Sequence, residues 1–192
     1  KSTPYQDPRV TIGPATVVVI AEHKEPMPST VTEGITLFTT HVRRATPDTL
    51  DPKLNAHSKL NDILACIQAY TAGADEALML DPQGYIAECT GENLFVVRRG
   101  KLITPSTAPV LEGITRHTIH TIAKDLGYDV LEQPISRDQL YIADEVFVCG
   151  TAAECIGLSE IDFRTIGDGK TGPITRAIQN VYHDAIRAKV EK

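Results

Sequence analysis

No apolar run in the 192-residue sequence approaches the roughly 18 residues that span a bilayer, and no signal peptide is legible. Both absences argue against a membrane or exported protein. Positive charge is also short: 19 Lys plus Arg stand against 25 Asp plus Glu, a formal net charge of −6. Such a chain has no global attraction to nucleic acid or to an anionic membrane, and an anionic ligand would need a local site. The four cysteines, Cys66, Cys89, Cys149 and Cys155, form no C-x-x-C pair, and three lie inside apolar runs. They read as reduced thiols of a cytoplasmic protein rather than as a disulfide framework. Internal repeats and low-complexity tracts are missing too, so the chain reduces to strands, helices and their punctuation.

What is present is an ordinary soluble composition, 42% apolar and 23% charged, in a chain long enough to bury its own core. Residues 1–14, "KSTPYQDPRVTIGP", read as linker: there is no initiator Met, and prolines interrupt a polar run. The chain is accordingly expected to be a piece of a longer protein, with residues 15–192 as its folded domain. β-Branched content predicts strands over 15–23 ("ATVVVIAEH") and 34–44 ("GITLFTTHVRR"). A helix follows, with Leu60, Ile63, Leu64 and Ile67 as its apolar face, Ser58 a candidate N-cap and Gly73 a candidate stop.

"EALMLDPQGYIAE" and "NLFVVRRGKLITP" read as hairpins, the first turning at Pro82–Gly84 and the second at Arg99–Gly100. Residues 113–127 are helical, with Ile119, Ile122, Ala123 and Leu126 on one side. "DEVFVCG" is a buried strand, and the last helix starts near Pro173. Strands and helices interleave without strict alternation. That predicts a mixed α/β domain rather than a regular doubly wound sheet.

Three polar, glycine-bearing stretches fall at element ends, where sites concentrate. "ECTGEN" (88–93) sets two carboxylates, Glu88 and Glu92, between two strands; alone it reads as a solvated connection. In "LEGITR" (111–116), Gly113 allows close backbone approach, and the next N–H groups open a helix beside the hydroxyl of Thr115, an arrangement suited to an anion. In "CGTAAE" (149–154), a buried strand ends in Gly150, Thr151 and Ala152, small enough for a ligand to lie against the backbone. Tight packing explains that stretch equally well. Together the three suggest a phosphate held by N–H groups near a carboxylate. His117 and His120 share a helix face without a third ligand nearby, so no metal site is expected.

Taken in order, "DEALMLDPQGYIAECTGENLFVVRRGKLITP", "LEGITR", "ISRDQLYIADEVFVCGTAAE" and "GPITR" resemble the class IV pyridoxal-phosphate aminotransferases, most closely the branched-chain amino acid type. The resemblance runs from about residue 34 to the C-terminus. It implies the large C-terminal, cofactor-binding domain of a fold type IV enzyme, without the smaller N-terminal domain that in this family supplies an arginine to the phosphate. It implies pyridoxal 5′-phosphate as cofactor, amino acid and 2-oxo acid substrates with 2-oxoglutarate as acceptor, and a homodimer. Glu88 matches the carboxylate on the ring nitrogen. Leu111, Ile114 and Thr115 match positions that line the ring and hold the phosphate, and Thr151 and Ala152 match those serving phosphate and substrate carboxylate. Glu92 and Asn93 match a supporting motif. "GTAAE" favours the branched-chain type over D-amino acid aminotransferases and aminodeoxychorismate lyases, while "GPITR" also occurs in amine transaminases and does not choose.

One departure stands out. Laid without gaps on the family pattern, "DPKLNAHSKLNDILACIQA" (51–69) matches at Asp51, Pro52, Leu60, Leu64, Ala65 and Ala69, yet Asn55 falls in the column of the cofactor-bearing lysine. Counting forward from Arg44 gives the same position. Lys59, in a column usually filled by Tyr or Arg, lies one helical turn from Asn55 and on the same face; it is the expected replacement. Lys53 is the alternative, requiring an insertion of about two residues, and a cofactor-binding chain with no working lysine is the third reading. His57 stands beside both lysines and ranks below Lys59.

Overall fold

The computed structural model describes residues 13–23 and 32–190. Among these residues nine strands form a curled sheet: β1 (Ile35–Arg43), β2 (Glu76–Leu80), β3 (Ile86–Cys89), β4 (Asn93–Arg98), β5 (Lys101–Thr104), β6 (Val130–Glu132), β7 (Glu145–Gly150), β8 (Glu154–Ile161) and β9 (Arg164–Thr165). Their order is β3-β2-β1-β8-β7-β4-β5-β6, with β9 paired to β8. The helices that pack on or connect them are α1 (Pro47–Leu50), α2 (Leu60–Thr71), α3 (Ile114–Asp125), α4 (Arg137–Tyr141) and α5 (Pro173–Val190). The architecture is the mixed α/β class that the sequence predicts.

Pairing follows the connections. β1 and β2 are parallel and joined through α2, whereas β2–β3, β4–β5 and β7–β8 are antiparallel neighbours with short links, as chain reversal without a crossover requires. The β4–β5 turn has positive φ at both central residues, Arg99 (50°) and Gly100 (74°), the primed geometry that matches strand twist. Arg99 tolerates it with its N–H donated to Asp144 Oδ2 at 2.6 Å. β4 and β7 are almost wholly apolar because they lie in the centre of the sheet: Leu94, Val96, Val146 and Val148 fill one core, while Phe95 and Phe147 stack at 5.1 Å in the other. The second core lies beneath α3 and α5 through Ile119, Ala123 and Ile178. A buried carboxylate, Glu145, fixes the start of α5 by accepting from the N–H groups of Ile174 (3.0 Å) and Thr175 (2.8 Å). Gly172 is needed there because a Cβ would meet the Glu145 side chain at 2.1 Å.

Three expectations need correction. The predicted strand over 15–23 does not form: those residues carry no strand assignment, and Val17, Val18, Val19 and Ile20 are 73–86% exposed. β-Branched residues favour extended backbone, but a strand exists only where a neighbour accepts its ladder. The apolar face of α2 is also outward: Leu60, Ile63, Leu64 and Ile67 are 46–67% exposed, while Ala65 and Ala69, on the opposite side, pack on Ala77 and Met79. Alanines let the helix approach the sheet closely. Finally, the cap position of α2 is Lys59 rather than Ser58. Of the expected linker, residues 1–12 lie outside the described residues. No described helix is long and apolar enough to cross a membrane.

Candidate active site

Five stretches of chain meet around an open cleft of about 490 Å³: Arg44–Ala45 after β1, the run from Leu50 to Asp62 that ends in α2, the β3–β4 connection 88–93, the loop 111–115 into α3, and the β7–β8 connection 149–152. This volume is in the range of small-molecule sites. The three glycine-bearing stretches, separate in the chain, converge on one cavity. Convergence distinguishes them from ordinary solvated connections.

Glu88 is the centre of the polar wall. It is 3% exposed, and its carboxylate accepts from Arg44, from Asn93 Nδ2 at 2.8 Å and from the N–H of Leu111, shared between both oxygens at 3.1 and 3.2 Å. Each oxygen thus has two contacts, with the Leu111 N–H divided between them. Burial pushes the Glu88 carboxyl up to about 7, against the opposing pull of Arg44 and the Leu111 N–H. Arg44 is itself shared, its other branch lying 2.5 Å from Asp62 Oδ1. Glu92 is pushed up to about 7 as well, first by burial and then by the neighbouring Glu76, and its Oε2 has no hydrogen-bond partner among the described residues.

Donors gather on the adjoining loop. The first α3 amide with a partner one turn back is that of His117, bonded to Gly113 O at 3.0 Å, so the N–H groups of Ile114 and Thr115 precede the helical ladder and stay available. Gly113 is obligatory: a Cβ there would meet Asn93 Oδ1 at 2.2 Å. Gly150 brings its backbone close to the β3–β4 connection, a Cβ meeting Gly91 O at 3.1 Å.

The two candidate lysines separate. Lys59 lines the cleft, whereas Lys53 does not, and its Nζ pairs with Glu112 at 3.4 Å. His57 is exposed and also outside the lining. Glu88, Glu92, Asn93, Leu111, Gly113, Ile114, Thr115, Gly150, Thr151 and Ala152 all line the cleft with Lys59 and Asn55.

The class IV amino-transferase family model matches residues 3–161. The chain belongs to the class IV aminotransferases. The branched-chain-amino-acid aminotransferase of Pseudomonas aeruginosa is 48% identical over 132 residues, 69% of this chain and 43% of that protein. A putative branched-chain-amino-acid aminotransferase of Methanocaldococcus jannaschii is 43% identical over 185 residues, 95% of this chain and 62% of that protein. Among solved structures, the branched-chain amino acid aminotransferase from Thermobaculum terrenum in its PLP form superposes with a TM-score of 0.77 at 39% identity, covering 79% of this chain and 50% of that one. The chain spans about half the length of several of the relatives it matches.

Two residues of this cleft, Arg44 and Asp62, receive no role from the motifs. Arg44 follows a strand in an Arg-Arg pair that looks like surface charge, and Asp62 sits in a first helical turn where acids are common. Only the fold brings both to Glu88. His117 and His120 stay clear of the cleft, and among the described residues no group of three or more His, Cys, Asp or Glu could hold a metal ion.

Proposed function

We propose that this chain is the cofactor-binding part of a pyridoxal-phosphate enzyme that exchanges an amino group between a branched-chain or similarly apolar amino acid and 2-oxoglutarate. The observation that carries the reading is the Glu88 carboxylate, buried in a cleft wall beside a helix start whose first N–H groups precede the helical ladder. This donor set fits the cofactor: an anion for a protonated ring nitrogen, and amide and hydroxyl donors for a phosphate.

When bound, the cofactor supplies a sink for the electron pair left at the substrate Cα. Glu88 keeps a proton on the ring nitrogen, with Arg44, Asn93 and the Leu111 N–H fixing the carboxylate. The Ile114 and Thr115 N–H groups and the hydroxyls of Thr115 and Thr151 hold the phosphate, and Leu111 and Ile114 give the ring an apolar wall. Ala152 leaves room for the substrate carboxylate. Lys59 Nζ would supply the amine that holds the cofactor and the group that moves a proton at the substrate Cα. The relatives' names support the branched-chain substrate.

A homodimer belongs to the same proposal. The outward apolar face of α2, Leu60, Ile63, Leu64 and Ile67, is a surface of the kind that partners cover. A second reading, a chain that binds the cofactor without turnover, is favoured by one observation, Asn55 standing in the lysine column.

The test is glutamate formation from leucine and 2-oxoglutarate by the full chain with cofactor. Turnover that needs both substrates and falls about a hundredfold or more in Glu88→Ala supports the enzyme. Cofactor binding without turnover supports the second reading.

A further inference from the structure

Two side chains approach the ammonium of Lys59, one from before it in the chain and one from after it. Asn55 Oδ1 accepts a hydrogen bond from Nζ at 3.1 Å, and Asp62 Oδ2 lies 3.8 Å from the same nitrogen. Asn55 belongs to the irregular run before α2, and Asp62 to its first turn. Asp62 is not free to follow the lysine. Its other oxygen accepts from Arg44 at 2.5 Å, and Arg44 is held in turn by Glu88.

The exposures make this asymmetry matter. The Lys59 side chain is 45% exposed and Asp62 only 13%, so a long flexible stem ends against a fixed carboxylate. Left alone, such a lysine would spread over many rotamers. Asn55 offers a neutral acceptor, which orients the amine without adding a second negative charge beside Asp62.

We propose that Asn55 and Asp62 are positioning residues that hold Lys59 Nζ over the cleft, with the chain Glu88–Arg44–Asp62 as the rigid wall from which the lysine is aimed. The inference rests on the reading of Lys59 as the attaching amine. An amine that must meet one carbon and later return a proton to one place has little tolerance for wandering, since a displacement of about 1 Å can cost about a hundredfold.

Two measurements on the full chain test it. The first is the rate at which pyridoxal phosphate becomes fixed by borohydride, resolved by peptide mapping to Lys59 or to other lysines. The second is affinity for pyridoxamine 5′-phosphate, whose own amine forms no link to a lysine and therefore reports the rest of the cleft. In Asn55→Ala and in the isosteric Asp62→Asn, fixation at Lys59 is expected to slow about tenfold or more, while pyridoxamine phosphate affinity changes by much less. Asp62→Glu should recover part of the rate. Fixation at the wild-type rate in both variants overturns the inference, and so does a loss of pyridoxamine phosphate affinity as large as the loss of rate. Lys59→Ala separates the two levels: undiminished fixation there removes the reading of Lys59 itself, whereas lost fixation there with unaffected Asn55 and Asp62 variants removes only the positioning role.

Discussion

Asn93 Nδ2 donates to Glu88 Oε2 at 2.8 Å and to Leu111 O at 2.9 Å, so one amide ties β3, β4 and the loop into α3 at the point where the cleft is built. Asn93 is itself buried, 6% exposed. Asn93→Ala should therefore lower stability by about 1–3 kcal/mol in denaturant titration, because a buried carboxylate and a carbonyl both lose a donor. It should also weaken cofactor binding. A neutral effect on both would show that the tie is incidental.

Gly113 faces the same amide. Its missing Cβ is what allows Asn93 Oδ1 to lie where a methyl carbon would come within 2.2 Å. Gly113→Ala is expected to destabilise by about 1–3 kcal/mol, as overpacking does, and the loss should shrink when combined with Asn93→Ala. Strict additivity in that double-mutant cycle would contradict the contact.

Glu92 predicts a pH dependence. Its carboxyl rises from an ordinary 4.5 to about 7 in the folded chain through burial and the proximity of Glu76. The folded state thus binds the proton more tightly than the unfolded state. The associated stability is present below pH 4.5 and is lost as pH rises toward 7. Glu88 acts in the same direction over the same window. Replacing Glu92 with Gln should remove about 1–3 kcal/mol of the decline between about pH 5 and pH 8, measured on the cofactor-free chain. An unchanged pH slope would argue against the buried, unpartnered oxygen.

The outer face of α2 predicts a change in assembly. Ile63 and Ile67 are 54% and 55% exposed, so Ile63→Asp with Ile67→Asp should alter monomer stability by no more than about 0.5 kcal/mol. Sedimentation should then show smaller particles than the wild type. Identical sedimentation of the two proteins would place any dimer contact elsewhere.

Local chemistry made much of the fold legible. The Arg99–Gly100 turn, Pro173 at the start of α5 and the apolar β4 and β7 follow from a few adjacent residues each. The expected shared helix face of Asn55 and Lys59 does not form, because α2 starts only at Leu60 and Asn55 stands in the irregular run before it; the two meet through their side chains instead. Other features depend on partners distant in sequence. Residues 15–23 have strand-like content but form no strand, and α2 packs by its alanines because the sheet beneath it offers Ala77 and Met79. The Arg44 bridge joins Asp62 to Glu88 across separate elements. No local pattern encodes that bridge, since each of its members alone looks like an ordinary surface charge.

The most direct test of the account is peptide mapping of the cofactor-loaded full chain after borohydride reduction. The account predicts the pyridoxyl mass on the peptide that contains Lys59. The mass on Lys53, or a chain that holds the cofactor and yields no labelled lysine, would contradict it.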